Sequence, residues 1–484
     1  MAMQNRKLDI LPHLQELTEE NFKEFRYWLC SLALDDKFPV RRSKLDKADC
    51  VDVAGLLREH YGEERAVDAA IETFKMINRR DLAGKLQAEK DRALGPDQTR
   101  GRRAEESCEF RYEALNEDVS RSQNWSPPEQ ETHLSICLLC QALKDPRCKV
   151  KRLRLRDCKL TDACCGDLAA VLSTSPNLMQ LDLSGNGGLG VCGVQLLCKG
   201  LKYPSCKLQT LRLRWCRLTT TCCGDLAAAL STSPSLTLLD LSGNTGLGDV
   251  GVRLLCEGLR RPSCKLQTLR LQCWHLTDAC CEDLATALST SPSLTELDLG
   301  VNSGLGDGGV QLLCEGLRHP SCKLQTLRLQ WCRLTDACCE DLAAALSTSP
   351  SLTVLDLSYN RGLGDGSMQQ LCQGLRHPSC KLQTLGLQSC RLTVACCQDL
   401  TAAVSTSPSL TQLDLSYNKG LGDGGVRLLC EGLRHPSCKV QTLRLSLHEL
   451  NAETKQELEA VKGMKPGLVI EQLEEDVFDD SADW

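Results

Sequence analysis

The segment Cys148-Lys149-Val150 returns as Cys206-Lys207-Leu208, Cys264-Lys265-Leu266, Cys322-Lys323-Leu324, Cys380-Lys381-Leu382 and Cys438-Lys439-Val440, one copy every 58 residues. A period of this size predicts a solenoid, in which no unit buries its apolar face alone and each neighbour completes the core of the last. Such a chain is first of all a surface for partners.

Each unit holds two related halves. One starts at Leu208 and the other at Leu236, and both open with L-x-x-L-x-L. Leu211 and Leu213, or Leu239 and Leu241, alternate as in a short half-buried strand. The period then becomes helical: Val252, Leu255, Cys256 and Leu259 share one face, as do Cys338, Leu342 and Leu346. Asp249 or Asp307 stands where an N-cap belongs, and Pro234, Pro262, Pro292 or Pro320 closes a helix. Asn186, Asn244, Asn302, Asn360 and Asn418 recur where the chain leaves a strand, placed to hydrogen-bond the backbone of neighbouring coils. Cys158, Cys216, Cys332 or Cys390 takes that place in the other half, with Trp274 and His448 as departures.

These motifs resemble leucine-rich repeats of the ribonuclease-inhibitor type. Eleven starts are visible, from Val150 to Val440, with residues 131–147 as a capping half-repeat and Asn451–Glu471 as a closing helix and strand. The resemblance implies an α/β horseshoe over 131–471 with parallel strands on its concave face.

No repeat precedes residue 131. Phe22, Phe25 and Leu29, then Val53, Leu56 and Leu57, then Val67, Ile71 and Phe74 carry helical spacing, enough for one small bundle over residues 7–90, interrupted near Phe38-Pro39-Val40. Arg42-Ser43-Lys44-Leu45-Asp46-Lys47-Ala48-Asp49, Tyr61-Gly62-Glu63-Glu64-Arg65 and Ile77-Asn78-Arg79-Arg80-Asp81-Leu82 resemble, in order and spacing, a pyrin domain, an all-α six-helix member of the death fold. Such domains dock a basic face on an acidic face of the next copy. The resemblance places Lys23 and Arg42 on the basic face and Asp49 and Asp52 on the acidic one; ordinary solvated helix charge is the competing reading.

Residues 94–130 are polar and lack apolar periodicity, so they read as a flexible linker, and residues 472–484 read as an acidic tail. A net charge of −6 gives no argument for nucleic acid, and no apolar run reaches the ~18 residues of a membrane span. The polar start from Met1 to Lys7 is no signal peptide, so a cytoplasmic protein is expected. In that setting the 32 cysteines, which fall in columns such as Cys140, Cys198, Cys256, Cys314, Cys372 and Cys430, are expected to be reduced core residues. Members of one column lie two coils apart, ~10 Å against the ~7 Å limit for a bridge. Cys137-Leu138-Leu139-Cys140 has no second pair to complete a zinc site.

No P-loop and no nucleophile–base constellation stands apart from the repeat, so neither an enzyme nor a cofactor is expected. A pyrin domain followed by these repeats resembles the two ends of a pyrin-containing NOD-like receptor, without the nucleotide-binding module between them. That family implies an innate-immune signalling or regulatory protein docking an inflammasome adaptor or other pyrin-domain proteins, self-associating into filaments, and holding a protein ligand on its repeats. A ribonuclease-inhibitor-like binder of a basic protein is the alternative.

The residue between the strand leucines should face the concave side. In order these are Arg154, Asp182, Arg212, Asp240, Arg270, Asp298, Arg328, Asp356, Gly386, Asp414 and Arg444, a ladder whose neighbours can pair laterally. Two places break the alternation and are the candidate ligand contacts: the basic patch Arg152, Arg154 and Arg156, and the carboxylates Asp356 and Asp414 on either side of Gly386.

Overall fold

The structure, a computed structural model, describes residues 9–18, 21–22, 25–26, 29, 45, 48–76, 79–94, 109–111, 129–447 and 450–472. Lys23, Arg42, the Phe38-Pro39-Val40 loop, most of the expected linker and the acidic tail beyond Gln472 lie outside them. Packing divides the described residues into two units, one within 9–94 and one within 109–472.

In the first unit, four helices are described end to end: α1 (Leu11–Gln15), α2 (Cys50–Tyr61), α3 (Glu63–Met76) and α4 (Arg80–Leu94). Their apolar faces meet in a core of Leu14, Phe25, Leu57, Ile71, Phe74 and Leu86, each at most 2% exposed. Phe25 and Phe74 are its centre, with ring centroids 4.9 Å apart. Phe22 and Leu56, also expected in that core, pack against its margin. Arg26 fastens the approach to α2: its Nη1 donates to the carbonyls of Leu45 and Ala48, both at 3.1 Å.

The second unit is a sheet of thirteen parallel strands in chain order, from Glu109–Arg111 to Val469–Gln472. A helix, or a 3-10 turn running into one, follows nearly every strand, which the right-handed parallel connection requires. The repeated leucines are the reason these strands form: Leu211, Leu213, Leu239 and Leu241 are all fully buried against the helices. The helical faces agree, with Val252, Leu255, Cys256 and Leu259 fully buried. Gly258 allows the close helix approach, since a Cβ there would sit 2.5 Å from the Ala227 carbonyl oxygen of the preceding helix.

Three findings differ from the sequence reading. Glu109–Arg111, inside the span expected to be linker, pairs in parallel with Arg152–Arg154 and extends the sheet by one strand. Three residues with no leucine motif carry too little periodicity to be read in advance. Asp249 and Asp307 do not cap their own helices. Asp249 lies inside the first turn of Gly248–Leu259, and its carboxylate accepts from Thr277 N (2.9 Å) and Thr277 Oγ1 (2.7 Å) of the next coil. Asp307 holds Thr335, Asp365 holds Thr393 and Asp423 holds Asn451 N in the same way. Finally, in the coil of Trp274 the cysteine role passes to Cys273, which is buried and points its thiol at the Leu241 carbonyl.

The asparagines do what their position predicts. Asn360 Nδ2 donates to Leu329 O (2.8 Å) on the preceding strand segment and Leu357 O (2.7 Å) on its own, while its Oδ1 accepts from Cys332 N and Leu334 N. Asn186, Asn244 and Asn302 are equally buried, at 0% exposure. All thirty cysteines among the described residues are free thiols, mostly buried. Burial pushes Cys256, Cys314 and Cys372 up to about 12, so they are neutral and behave as small apolar residues.

Two predictions follow from these coil-to-coil bonds. Asn360→Ala strands buried backbone groups of two coils at about 1–3 kcal/mol each, so urea unfolding should show a loss of about 3 kcal/mol or more; a loss below about 1 kcal/mol contradicts this. Burial pushes the Asp365 carboxyl up, but hydrogen bonds from Thr393 and Cys396 outweigh it and hold the group below its ordinary value. A depressed folded pKa contributes stability above the unfolded carboxylate value of ~3.9 and loses it as pH falls through the folded one. Asp365→Asn should therefore be less stable than wild type near neutral pH, with the difference in melting temperature shrinking on acidification below about pH 4. A difference that does not change with pH contradicts the bracket.

Candidate interaction surfaces

Asp49 and Asp52, the expected acidic face, form the capping box of α2. Asp49 Oδ1 accepts from Val51 N (2.8 Å) and Asp52 N (2.9 Å), and Asp52 Oδ2 accepts from Asp49 N (3.2 Å). Their negative charge also suits the positive end of the helix. Both side chains remain exposed, so two carboxylates are held in fixed geometry at the surface. The arrangement means that replacing Asp49 by an amino acid without a capping oxygen costs about 1 kcal/mol of helix stability before any docking is considered, whereas Asn caps as well as Asp. Their expected counterparts Lys23 and Arg42 lie outside the described residues.

On the strand face the register places the charges as the sequence suggested. Arg154 lies opposite Asp182, Arg212 opposite Asp240, Arg270 opposite Asp298 and Arg328 opposite Asp356. The contacts, however, run diagonally. Asp182 meets Arg156 Nε at 3.8 Å and Asp240 meets Arg214 Nε at 3.9 Å, each arginine standing two residues beyond the expected row. Gln272 and Gln330 take that place for Asp298 and Asp356, donating from Nε2 at 3.0 and 2.6 Å. The carboxylates are also held by their own turns, through Ser184 N, Ser242 N, Gly300 N, Ser358 N and Ser416 N. Burial of Asp298 pushes its carboxyl above the usual range.

Glu296 is the residue that ties the middle of the ladder. It accepts from Arg270 Nη2 at 3.2 Å and from Arg328 Nη1 at 2.5 Å, two coils apart. Its role could not be read from the row of strand-centre residues, because it stands two positions ahead of that row. Of the basic patch, Arg152 and Arg156 are exposed and Arg154 is half-buried, so the patch opens to solvent although Arg156 already leans on Asp182. At the other break, Gly386 pairs on one side with Asp356 and on the other with Asp414. A cleft of about 220 Å³ opens there, lined by both carboxylates and by Arg328, Gln388 and Arg444.

Just beyond the strands, Trp215, Trp274, Trp331, Tyr359 and Tyr417 occupy left-handed backbone positions. Trp331 stacks on Tyr359 with ring centroids 4.6 Å apart and planes within 7°. The aromatic row therefore borders the strand face without entering its charged ladder. Among the described residues no cluster of three or more His, Cys, Asp or Glu is placed to hold a metal, and no helix is long and apolar enough to cross a membrane.

Comparison with known proteins matches both units. The pyrin-domain family model (PAAD/DAPIN/Pyrin) matches residues 9–84, and a leucine-rich-repeat model matches 232–256, 290–314, 321–343, 348–372 and 406–430. Human NACHT, LRR and PYD domains-containing protein 12 is 50% identical over 335 residues, which are 69% of this chain and 31% of that protein. Its mouse counterpart is 49% identical over the same shares, and human NACHT, LRR and PYD domains-containing protein 3 is 48% identical over 64% of this chain and 30% of its own length. The chain thus spans less than a third of the length of these relatives. Among solved structures, a leucine-rich-repeat-containing protein of Legionella pneumophila is similar at 19% identity and a TM-score of 0.40, over 62% of this chain and 96% of that one. The chain is a pyrin-domain and leucine-rich-repeat protein homologous to the NACHT, LRR and PYD domains-containing proteins, the pyrin-bearing NOD-like receptor family.

Proposed function

We propose that the protein acts inside the cell in innate-immune signalling or its regulation. In this reading residues 7–90 dock pyrin-domain partners, including an inflammasome adaptor, and can self-associate into filaments. The chain between the two units tethers that domain to the repeats, whose sheet runs from Glu109 to Gln472 and which hold a protein ligand or restrain the chain, and the residues after Gln472 form an acidic tail. Docking sets Lys23 and Arg42 of one copy against Asp49 and Asp52 of the next. The observation that supports it best is the α2 capping box, which fixes two exposed carboxylates at one helix end. Arg152, Arg154, Arg156, Asp356 and Asp414 are the proposed ligand contacts of the repeats. The chain works as a scaffold, without a catalytic step or a bound cofactor. A second reading, a ribonuclease-inhibitor-like binder of a basic protein, draws on the carboxylate-lined cleft at Gly386.

The test adds the full chain to preformed filaments of an adaptor's pyrin domain and follows co-assembly by light scattering and electron microscopy. Binding should weaken with salt, because exposed charges are screened beyond ~8 Å at physiological ionic strength. Asp49→Asn keeps the cap but removes the charge, so it should fold normally and weaken association by up to about fivefold per interface, the ~1 kcal/mol ceiling of an exposed pair. Lys23→Glu should weaken it further. Co-assembly that neither substitution alters, or no co-assembly at all, contradicts the proposed docking.

A further inference from the structure

The strand-centre row supplies its own template for what belongs at Gly386. Pairing runs Asp182, Arg212, Asp240, Arg270, Asp298, Arg328, Asp356, so each interior aspartate has an arginine on both sides and each interior arginine an aspartate on both sides. The next position is Gly386, and Asp414 and Arg444 resume the alternation beyond it. One cation is therefore missing from an otherwise regular array, with a cavity of about 220 Å³ in its place. This is below the ~300 Å³ at which small-molecule pockets begin, and suits a single side chain.

The surrounding groups have rearranged around the gap. The Asp356 carboxylate leans into the vacated room, where Oδ1 comes within 2.5 Å of the point that a Cβ on residue 386 would occupy. Gln272 and Gln330 each donate an amide hydrogen to the aspartate of the following coil, Asp298 and Asp356. Gln388, the equivalent residue for Asp414, leaves its Nε2 buried and without a partner at the wall of the cleft. Asp414 is left with Ser416 N at 3.0 Å and a distant Arg444 Nη1 at 3.8 Å. Burial pushes its carboxyl up, and the facing Asp356 adds to this.

We propose that this cleft receives the guanidinium of an arginine presented by a protein partner, which restores the missing member of the row. The inference rests on reading the repeats as a protein-binding surface, and it is independent of the pyrin docking. Asp356 and Asp414 sit two strands apart, ~9.6 Å along the sheet. A metal ion would need carboxylate oxygens at ~2.0–2.6 Å from one centre, so both side chains would have to converge. A guanidinium spreads five N–H groups over a plane and can bond a carboxylate on each side at ~2.7–2.9 Å. A lysine ammonium, a point charge, can satisfy both sides less well. The flanking Arg328 and Arg444 are bonded to Glu296 and Glu471, which stand on strands away from the gap.

The experiment measures fluorescence anisotropy of a labelled glycine-rich peptide carrying two arginines, titrated with the full chain. The same peptide with lysine, and with citrulline, the uncharged isostere of arginine, serves for comparison. Wild type should prefer arginine over citrulline by at least about tenfold, with lysine between them. Gly386→Arg, which completes the row from within, and Asp414→Asn, which keeps the acceptor for Ser416 N, should each abolish that preference. Glu431→Gln, on an exposed helix face, should leave it intact. Thermal melts identify any variant that fails to fold, in which case Asp414→Asn decides the matter if Gly386→Arg is lost. Equal affinity for arginine and citrulline peptides, absence of binding, or an undiminished preference in a folded Gly386→Arg or Asp414→Asn overturns the proposal. Failure of the chain to join pyrin filaments would leave these outcomes unchanged.

Discussion

A strand of three residues can make only a few backbone hydrogen bonds, and a parallel sheet of such strands has little to hold its coils in register. The side chain of one asparagine per 58-residue unit supplies what is missing. Asn186, Asn244, Asn302, Asn360 and Asn418 each donate to carbonyls of two successive coils and accept from an amide of the preceding one. Buried without these bonds, the same amides and carbonyls would each cost about 1–3 kcal/mol. In the alternate half a cysteine thiol points at the equivalent carbonyl: Cys216 at Leu183 O, Cys332 at Leu299 O, Cys390 at Leu357 O. The aspartate brackets from Asp249 to Asp423 then join each second helix to the start of the next coil. Coil-to-coil polar bonds on both sides of the leucine core fix the spacing that every surface feature inherits.

That spacing turns a sequence pattern into a charge pattern. Once the coils are in register, residues 58 apart in sequence stand two strands apart in space, and an alternation of Arg and Asp becomes a row of neighbouring opposite charges. Such a row largely satisfies itself: Glu296 joins Arg270 to Arg328, and Glu471 holds Arg444. A regular array of this kind offers a partner less, because Asp182 and Asp240 already lean on arginines and Asp298 and Asp356 on glutamine amides. The interruption at Gly386 and the solvent-exposed arginines Arg152 and Arg156 depart from that regularity. In the first unit the same economy holds differently, with Asp49 and Asp52 serving as helix cap and exposed charge at once.

The periodic features were legible in the sequence and the diagonal ones were not. Leucine spacing located strands and helices, the asparagine column located the coil junctions, and the broken Arg–Asp alternation located the cleft at Gly386. The bond from Asp249 to Thr277 was missed because its partners stand 28 residues apart, beyond any local capping signal, and an aspartate next to a helix start reads more simply as that helix's own cap. Glu296 stands two positions before the strand-centre row, so the Arg–Asp alternation of that row carries no sign of it. The switch from Trp274 to Cys273 is a one-residue difference that only the fold of that coil resolves. The D-x-x-D of Asp49 and Asp52 ahead of an apolar run is itself the sequence signature of the capping box they form.

The central claim is a division of labour, with pyrin partners engaging the N-terminal unit and the repeats left available for a different ligand. Hydrogen–deuterium exchange of the full chain, with and without filaments of an adaptor's pyrin domain, tests it directly. The account predicts that added protection appears within residues 9–94, including the amides at the start of α2, while the amides bonded by the asparagine ladder exchange as before. Protection confined to the repeats, or none in either unit, would contradict it.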